Sequence, residues 1–290
     1  MSTSPIKVAV VTGANTGIGK ETARGLAERK MRVVLAVRDL DKGEAARADI
    51  VGSTGNADVF VLPLDLGSRA SIRAFAARFR EQFERLDLLV NNAGVWTRNR
   101  SLTVDGVETT FGVNHLGTFL LTHELLPTMR ASAPARIIVV SSDLHFRGKM
   151  VWDDLQFERR SYGGVAAYNQ SKLANVLFAK ALARRLAGTG ITVNALHPGV
   201  VATELTRELP GVLRSLWNLF LLTPKQGAST TLHVALSEEG GKFTGEYFDK
   251  SRRKNAASAA RDEVAQERLW SLTEKLLGTE PLPLRDIAAA

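Results

Sequence analysis

Tyr168 and Lys172 stand four residues apart in Tyr168-Asn169-Gln170-Ser171-Lys172, at the head of an apolar periodic stretch that reads as a helix to about residue 186. Positions i and i+4 share a helix face, so the phenol and the ammonium point the same way. An ordinary phenol has a pKa of about 10 and is a poor acid or base at neutral pH. A fixed cation a few ångströms away favours phenolate and is expected to lower that value by roughly 1–3 units. Such a phenol moves protons near neutrality. The spacing is weak evidence alone, because a half-buried Tyr beside a surface Lys arises in many helices. The rest of the chain has to decide.

The elements that would position this pair alternate between short apolar runs and helical periods. Strands are expected at 7–12, 32–37, 58–62, 87–90, 136–140, 191–196 and, last, 245–248. Helices are expected at 20–30, 40–50, 68–84, 104–130, 168–186 and 261–277. Six strand–helix alternations in 290 residues imply a single-domain α/β fold, a Rossmann-type doubly wound parallel sheet with helices on both faces.

The first strand runs into Gly13-Ala14-Asn15-Thr16-Gly17-Ile18-Gly19 and then a helix. Glycines permit a tight turn, and the helix N-terminus offers N–H donors and positive dipole, so the segment reads as a phosphate cradle. It is not a P-loop, because Lys20 is followed by Glu21 and no Ser or Thr stands there for magnesium. Arg38 follows the second strand, 19 residues past Gly19. An Arg there accommodates a 2′-phosphate where an acid would hold ribose hydroxyls, which favours NADP(H) over NAD(H). Asp39, the neighbouring acid, reads as the N-cap of the next helix. Asp65 suits the adenine amine or a cap for the 68–84 helix; Leu66 follows it, and Asn92-Ala93-Gly94 ends the fourth strand, where ligands bind in open sheets. Asn114 lies among apolar neighbours and must be hydrogen-bonded if buried. Ser142 stands at the mouth of the fifth strand, His145 lies near it, and His197-Pro198-Gly199 ends the sixth.

Composition narrows the classes. Apolar residues make up 44% and charged residues 23%, ordinary for a soluble globular protein. With no Cys, disulfides, thiolate zinc sites and a Cys nucleophile are excluded. No apolar run reaches the ~18 residues of a spanning helix, and the start MSTSPIK lacks a signal-peptide core, so a cytoplasmic protein is expected. A net charge of +8 invites a nucleic-acid reading, but no basic block is interleaved with aromatics, and a solvated basic surface is the plainer account. No His falls in a metal-binding spacing, so no metal is expected.

The set Thr12-Gly13-x3-Gly17-x-Gly19, Asn91-Asn92-Ala93-Gly94, Asn114, Ser142, Tyr168-x3-Lys172 and Pro198-Gly199 resembles the short-chain dehydrogenase/reductase family, in the family's order over roughly residues 6–250. The resemblance implies hydride transfer between a nicotinamide dinucleotide and a carbonyl or alcohol. Tyr168 would be the acid in reduction and the base in oxidation. Lys172 would lower its pKa and bond the nicotinamide ribose. Ser142 would orient the substrate oxygen, and Asn114 would hold a water linking Lys172 to solvent. Pro198, Gly199, Val200 and Thr203 would hold the nicotinamide.

Ser142 and Tyr168 lie 26 positions apart, about twice the family's usual spacing. The 143–167 insertion is expected to hold a short helix at 152–158. Together with Thr16-Gly17-Ile18-Gly19-Lys20-Glu21-Thr22-Ala23 and Tyr168-x-x-Ser171-Lys172-Leu173-Ala174-Asn175, it is similar to the retinol dehydrogenase-like branch. That branch acts on lipophilic aldehydes, ketones and alcohols, mostly with NADP(H). Light-dependent protochlorophyllide reductase shares the insertion but is expected to carry a Cys at the site, which this chain lacks. Residues 205–222, rich in Leu with Trp217 and Phe220, are expected to lie in a substrate lid (200–225) with possible peripheral membrane contact. The 251–290 extension departs from the family core. A homo-oligomer through the 104–130 and 168–188 helices is the family expectation. The rival reading is a catalytically silent NADP(H)-binding sensor or scaffold.

Overall fold

The computed structural model describes residues 6–199 and 222–284. Val200, Thr203 and the expected lid up to Leu221 lie outside the described residues.

One sheet organises the chain. Its strands are β1 (Val8–Thr12), β2 (Arg32–Val37), β3 (Val59–Pro63), β4 (Leu88–Asn91), β5 (Ala135–Val140), β6 (Ile191–His197), β7 (Tyr247–Asp249) and β8 (Arg252–Lys254). They lie in the order β3-β2-β1-β4-β5-β6-β7-β8, all pairs parallel except β7 with β8. The order reverses beside β1, where Val10 pairs with Val34 on one side and Leu89 on the other. Loops diverge at such a point, and the crevice between them is where open α/β sheets bind ligands.

Both sheet faces are buried, which is why the strands read as continuous apolar runs. Alternate residues of β1 enter separate cores. Val8 and Val10 pack with α3 (Arg69–Gln82), α5 (Thr118–Ala131) and α6 (Gly164–Arg185). Ala9 and Val11 pack with α1 (Gly17–Ala27), α2 (Leu40–Thr54) and a helix after the sixth strand, α7 (Pro224–Leu236). The short α8 (Glu238–Lys242) leads into β7.

Three expectations are corrected. The 245–248 strand is not the last, because Lys250 and Ser251 take left-handed φ of 50° and 58° and turn the chain back as β8. The 104–130 helix starts late. Leu102 and Glu108 bridge a turn, and the Glu108 carboxylate then accepts the N–H groups of Thr110 and Phe111, both at 2.7 Å. Helix α4 (Thr109–Phe111) continues through a π-helical turn (Gly112–Gly117) into α5. The 152–158 segment is turns, not a helix. The Asp154 carboxylate takes the N–H groups of Glu158 and Arg160, competing with a helical ladder, and Phe157 is left-handed. A 3₁₀ turn, Asp143–Arg147, directly follows Ser142 instead.

The extension also has a definite place. After α9 (Ser258–Arg261), α10 (Glu263–Leu277) lays Leu269, Trp270 and Leu277 into the core shared with α5 and α6. Trp270 sits 4.7 Å from Phe119 and 6.0 Å from Phe178 between ring centroids. The Arg185 guanidinium lies over the Trp270 ring and bonds Glu267 at 2.6 Å. His115, wholly buried, meets Thr273 Oγ1 at 2.8 Å, and burial drops its pKa to about 3. Part of the α5 and α6 surface on which an oligomer was expected is therefore covered from within the chain.

Candidate active site

Helix α6 begins four residues before Tyr168, and its first turns lean on the end of β5. Ser141 Oγ donates to the Lys172 carbonyl at 2.7 Å, and Lys172 Nζ donates to the Val140 carbonyl at 3.2 Å. These bonds set Ser142, one residue on, beside the helix face carrying Tyr168 and Lys172. Lys172 Nζ lies 5.3 Å from the Tyr168 ring centroid. Tyr168 is half-buried as a residue, and its hydroxyl has no hydrogen-bond partner among the described residues.

The electrostatics of the ligand-free site run opposite to one expectation. Burial pushes the Tyr168 phenol up to about 12, and burial pulls the Lys172 ammonium down to about 8. Lys172 Nζ donates its proton to the Val140 carbonyl and not to the phenol. Both shifts have burial as their cause, which disfavours the charged form of each group.

Ser142 complements it. Its Oγ accepts the Leu144 N–H at 3.2 Å as the cap of the 3₁₀ turn, which leaves the hydroxyl proton free to donate outward. Asn114 sits in the π-helical turn, a geometry frequent at functional sites. Its amide donates to the Val95 carbonyl at 2.9 Å and to Ser171 Oγ at 3.0 Å, while Oδ1 accepts the Val95 N–H at 2.7 Å. A β-carbon placed on Gly94 would meet Lys172 Nζ at 3.2 Å and Asn114 Oδ1 at 3.4 Å, so the amide oxygen and the ammonium flank the same small space.

The glycine turn lies across the crevice. Gly13 has φ of 64°, a left-handed conformation that side chains resist. A β-carbon on Gly19 would collide with the Gly13 carbonyl and lie 2.5 Å from Asn92 Nδ2. Asn92 Nδ2 bonds the Thr12 carbonyl at 2.8 Å, and Thr12 Oγ1 accepts the N–H groups of Asn92 and Ala93, locking the ends of β1 and β4 together. Thr16 precedes α1 without capping it, and no acid stands in the first turn, so the N–H donors and positive dipole there face outward. Asn15, Gly17 and Ile18 are half-buried and Thr16 is exposed.

The adenosine end is defined by what its charges already do. Asp39 caps α2 by accepting the Lys42 N–H at 3.1 Å and pairs with Lys42 Nζ at 2.7 Å. Arg38 is exposed, and its guanidinium has no ion-pair or hydrogen-bond partner among the described residues. Asp65 does not cap α3; Ser68 does, and Asp65 Oδ1 instead accepts the Gly67 N–H at 2.8 Å. Leu66 is buried behind it.

A scan against family models matches residues 7–211 to the family described as short chain dehydrogenase. The chain belongs to the short-chain dehydrogenase family. It is therefore an oxidoreductase of a family that binds nicotinamide dinucleotides. Retinol dehydrogenase 12 of Mus musculus is 50% identical over 279 residues, covering 95% of this chain and 88% of the relative. Retinol dehydrogenase 13 of Homo sapiens is 47% identical, covering 98% and 88%. Among solved structures, an uncharacterized protein from Mycobacterium Paratuberculosis superposes with a TM-score of 0.80 at 36% identity, covering 96% of this chain and 95% of its own. The RhlG/NADP active-site complex of Pseudomonas aeruginosa superposes with a TM-score of 0.69 at 29% identity, covering 83% and 93%.

Gly19→Ala tests the expectation that the glycine turn is the dinucleotide cradle. The variant is expected to lose measurable dinucleotide binding by fluorescence titration, because the collision partner is backbone and cannot yield. Unchanged affinity would show that the turn is not the cradle.

Sequence reasoning missed two features. The bonds of His145 are one: the residue is wholly buried, its Nδ1 at 2.7 Å from the Ser142 carbonyl and its Nε2 at 3.1 Å from the Ala257 N–H. A trio at the carboxyl ends of β5 to β7, Asp143, His197 and Asp249, brings ligand-type atoms within 4.8 Å of one another. Lys254 Nζ already lies 3.0 Å from Asp249 and 3.8 Å from Asp143 and supplies the positive charge there. No spacing rule links residues so far apart in sequence.

Proposed function

We propose that this short-chain dehydrogenase uses NADP(H) and interconverts lipophilic aldehydes or ketones, retinal-like compounds among them, with their alcohols. The observation that carries the cofactor choice is the unpartnered Arg38 beside an Asp39 already spent as a cap. An acid free to hold ribose hydroxyls would favour NAD(H); a free guanidinium favours the 2′-phosphate. The NADP in the Pseudomonas aeruginosa structure agrees with this. The retinol dehydrogenase names of the 50% and 47% identical relatives support the substrate class.

The residues would divide the work as follows. Gly13, Asn15, Thr16, Gly17, Ile18 and Gly19 would receive the pyrophosphate, Arg38 the 2′-phosphate, and Asp65 and Leu66 the adenine. Asn92, Ala93, Gly94, Pro198 and Gly199 would bed the nicotinamide half, and Lys172 its ribose. The bound dinucleotide supplies or accepts the hydride. Ser142 donates its free proton to the substrate oxygen, which orients the carbonyl and stabilises charge as it develops. Tyr168, held neutral, gives its proton to that oxygen. With Asn114 Oδ1 flanking the same space, Lys172 is placed to pass a replacement proton inward.

Arg38→Asp tests the cofactor assignment. Losing one charge-assisted contact of about 1.5–3 kcal/mol should weaken NADPH binding roughly 10- to 100-fold and leave NADH binding little changed. Equal effects on both dinucleotides would mean that Arg38 does not hold the phosphate. The silent-sensor alternative is tested by NADPH oxidation with all-trans-retinal, decanal and propanal; no turnover with any of them would favour it.

A further inference from the structure

We propose that His145 is a positioning residue through which the C-terminal segment holds Ser142 in place. The proposal rests on the reading of Ser142 as the donor to the substrate oxygen. Its partners fix the imidazole tautomer without ambiguity. The Ser142 carbonyl can only accept, so Nδ1 carries the proton; the Ala257 N–H can only donate, so Nε2 is bare. The Ser142 carbonyl also accepts the His145 backbone N–H at 3.0 Å, so one residue grips it twice. The ring is wedged between Phe146 at 4.1 Å and Tyr247 at 4.6 Å between centroids. Tyr247 in turn donates its hydroxyl proton to Asp143 Oδ1 at 3.0 Å. Ser142 and Asp143 are thus held from behind by β7 and by the residues just past β8.

The far end of this grip is firmly seated. Ala256, Ala257 and Ala260 belong to the same core as α6, and α10 is anchored by Trp270 and by the Arg185–Glu267 bonds. Burial keeps the His145 pKa below its ordinary value, so the bare Nε2 persists at neutral pH. Asp143, His197 and Lys254 are the charged or ionisable groups that act on the ring electrostatically, the Tyr247 phenol packs against it, and none of them bonds it. The extension therefore does more than cover α5 and α6. It supplies the backbone donor that orients the ring behind the substrate-oxygen site.

The test uses the full chain, with NADPH and decanal as the probe substrate. His145→Phe keeps a ring of similar shape and removes both bonds. It should lower kcat about 10- to 100-fold with NADPH affinity unchanged, the effect expected of a misplaced catalytic hydroxyl. In a Ser142→Ala background the same substitution should cost almost nothing more, because the group it positions is gone. The Ala257 amide should be protected from hydrogen exchange in the parent and exchange faster in His145→Phe. An equal loss in both backgrounds, or unchanged Ala257 exchange, would overturn the proposal. If Ser142→Ala itself leaves kcat unchanged, the reading of Ser142 fails and the proposal goes with it, an outcome distinct from failure of His145 alone. Should His145→Phe not fold, Ala257→Pro removes the donor at a φ of −49° that proline tolerates. It should lower kcat in the same direction, and an unchanged kcat would overturn the proposal.

Discussion

Tyr168→Phe will lower carbonyl reduction by about two to four orders of magnitude, the range that general acid catalysis supplies. The substitution removes one hydroxyl that has no partner among the described residues, so it leaves no orphaned group behind. Fold stability and dinucleotide affinity should therefore change little, and the loss should appear in kcat. Single-turnover oxidation of NADPH with a saturating aldehyde measures it. A variant with more than a tenth of the parent rate would show that another group delivers the proton.

Lys172→Met is expected to separate stability from activity. Lys172 is 3% exposed, its ammonium has one carbonyl partner and no carboxylate among the described residues, and burial pulls its pKa from 10.5 to about 8. At about 1.4 kcal/mol for each pKa unit, keeping it charged at pH 7 costs the fold about 3 kcal/mol. Methionine fills nearly the same volume without charge. Allowing about 1 kcal/mol for the lost bond to Val140, the variant should gain about 2 kcal/mol in the absence of dinucleotide. The sign with pH follows from the direction of the shift. Between about 8 and 10.5 the unfolded chain holds a proton that the folded one has lost, so the parent becomes more stable as pH rises through this window. The gain from Lys172→Met should be full below pH 8 and fade towards 10.5. Turnover should fall by orders of magnitude even as the melting temperature rises a few degrees. A variant less stable than its parent at pH 7 would show that the ammonium is paired in solution.

Most of the architecture was legible because buried parallel strands announce themselves as apolar runs, as β1, β2 and β6 do, with glycine turns and helical periods between them. The site was legible for a related reason. Tyr168 and Lys172 share a helix, and Gly13 to Gly19 share a turn, so local spacing places them. Features set by tertiary contact were not. The start of α4 depends on Glu108 folding back as a cap, and β8 depends on two residues with left-handed φ. The 152–158 segment has helical composition, yet Asp154 captures its backbone donors. Neither His145 nor the role of the extension could be read, because Ala257 lies 112 positions away from the ring it meets. The direction in which burial shifts the phenol was not legible either. Helical spacing showed that a cation would be near, but it carried no measure of how much water both groups would lose.

That last point can be measured directly. The chain has three tyrosines, Tyr162, Tyr168 and Tyr247, and burial is the foremost cause raising each phenol above its ordinary value. Titration of tyrosinate absorbance in the folded, ligand-free protein should therefore stay flat to a pH of about 10, the value of an unperturbed phenol. One equivalent of tyrosinate appearing near neutral pH, and missing from Tyr168→Phe, would contradict the account.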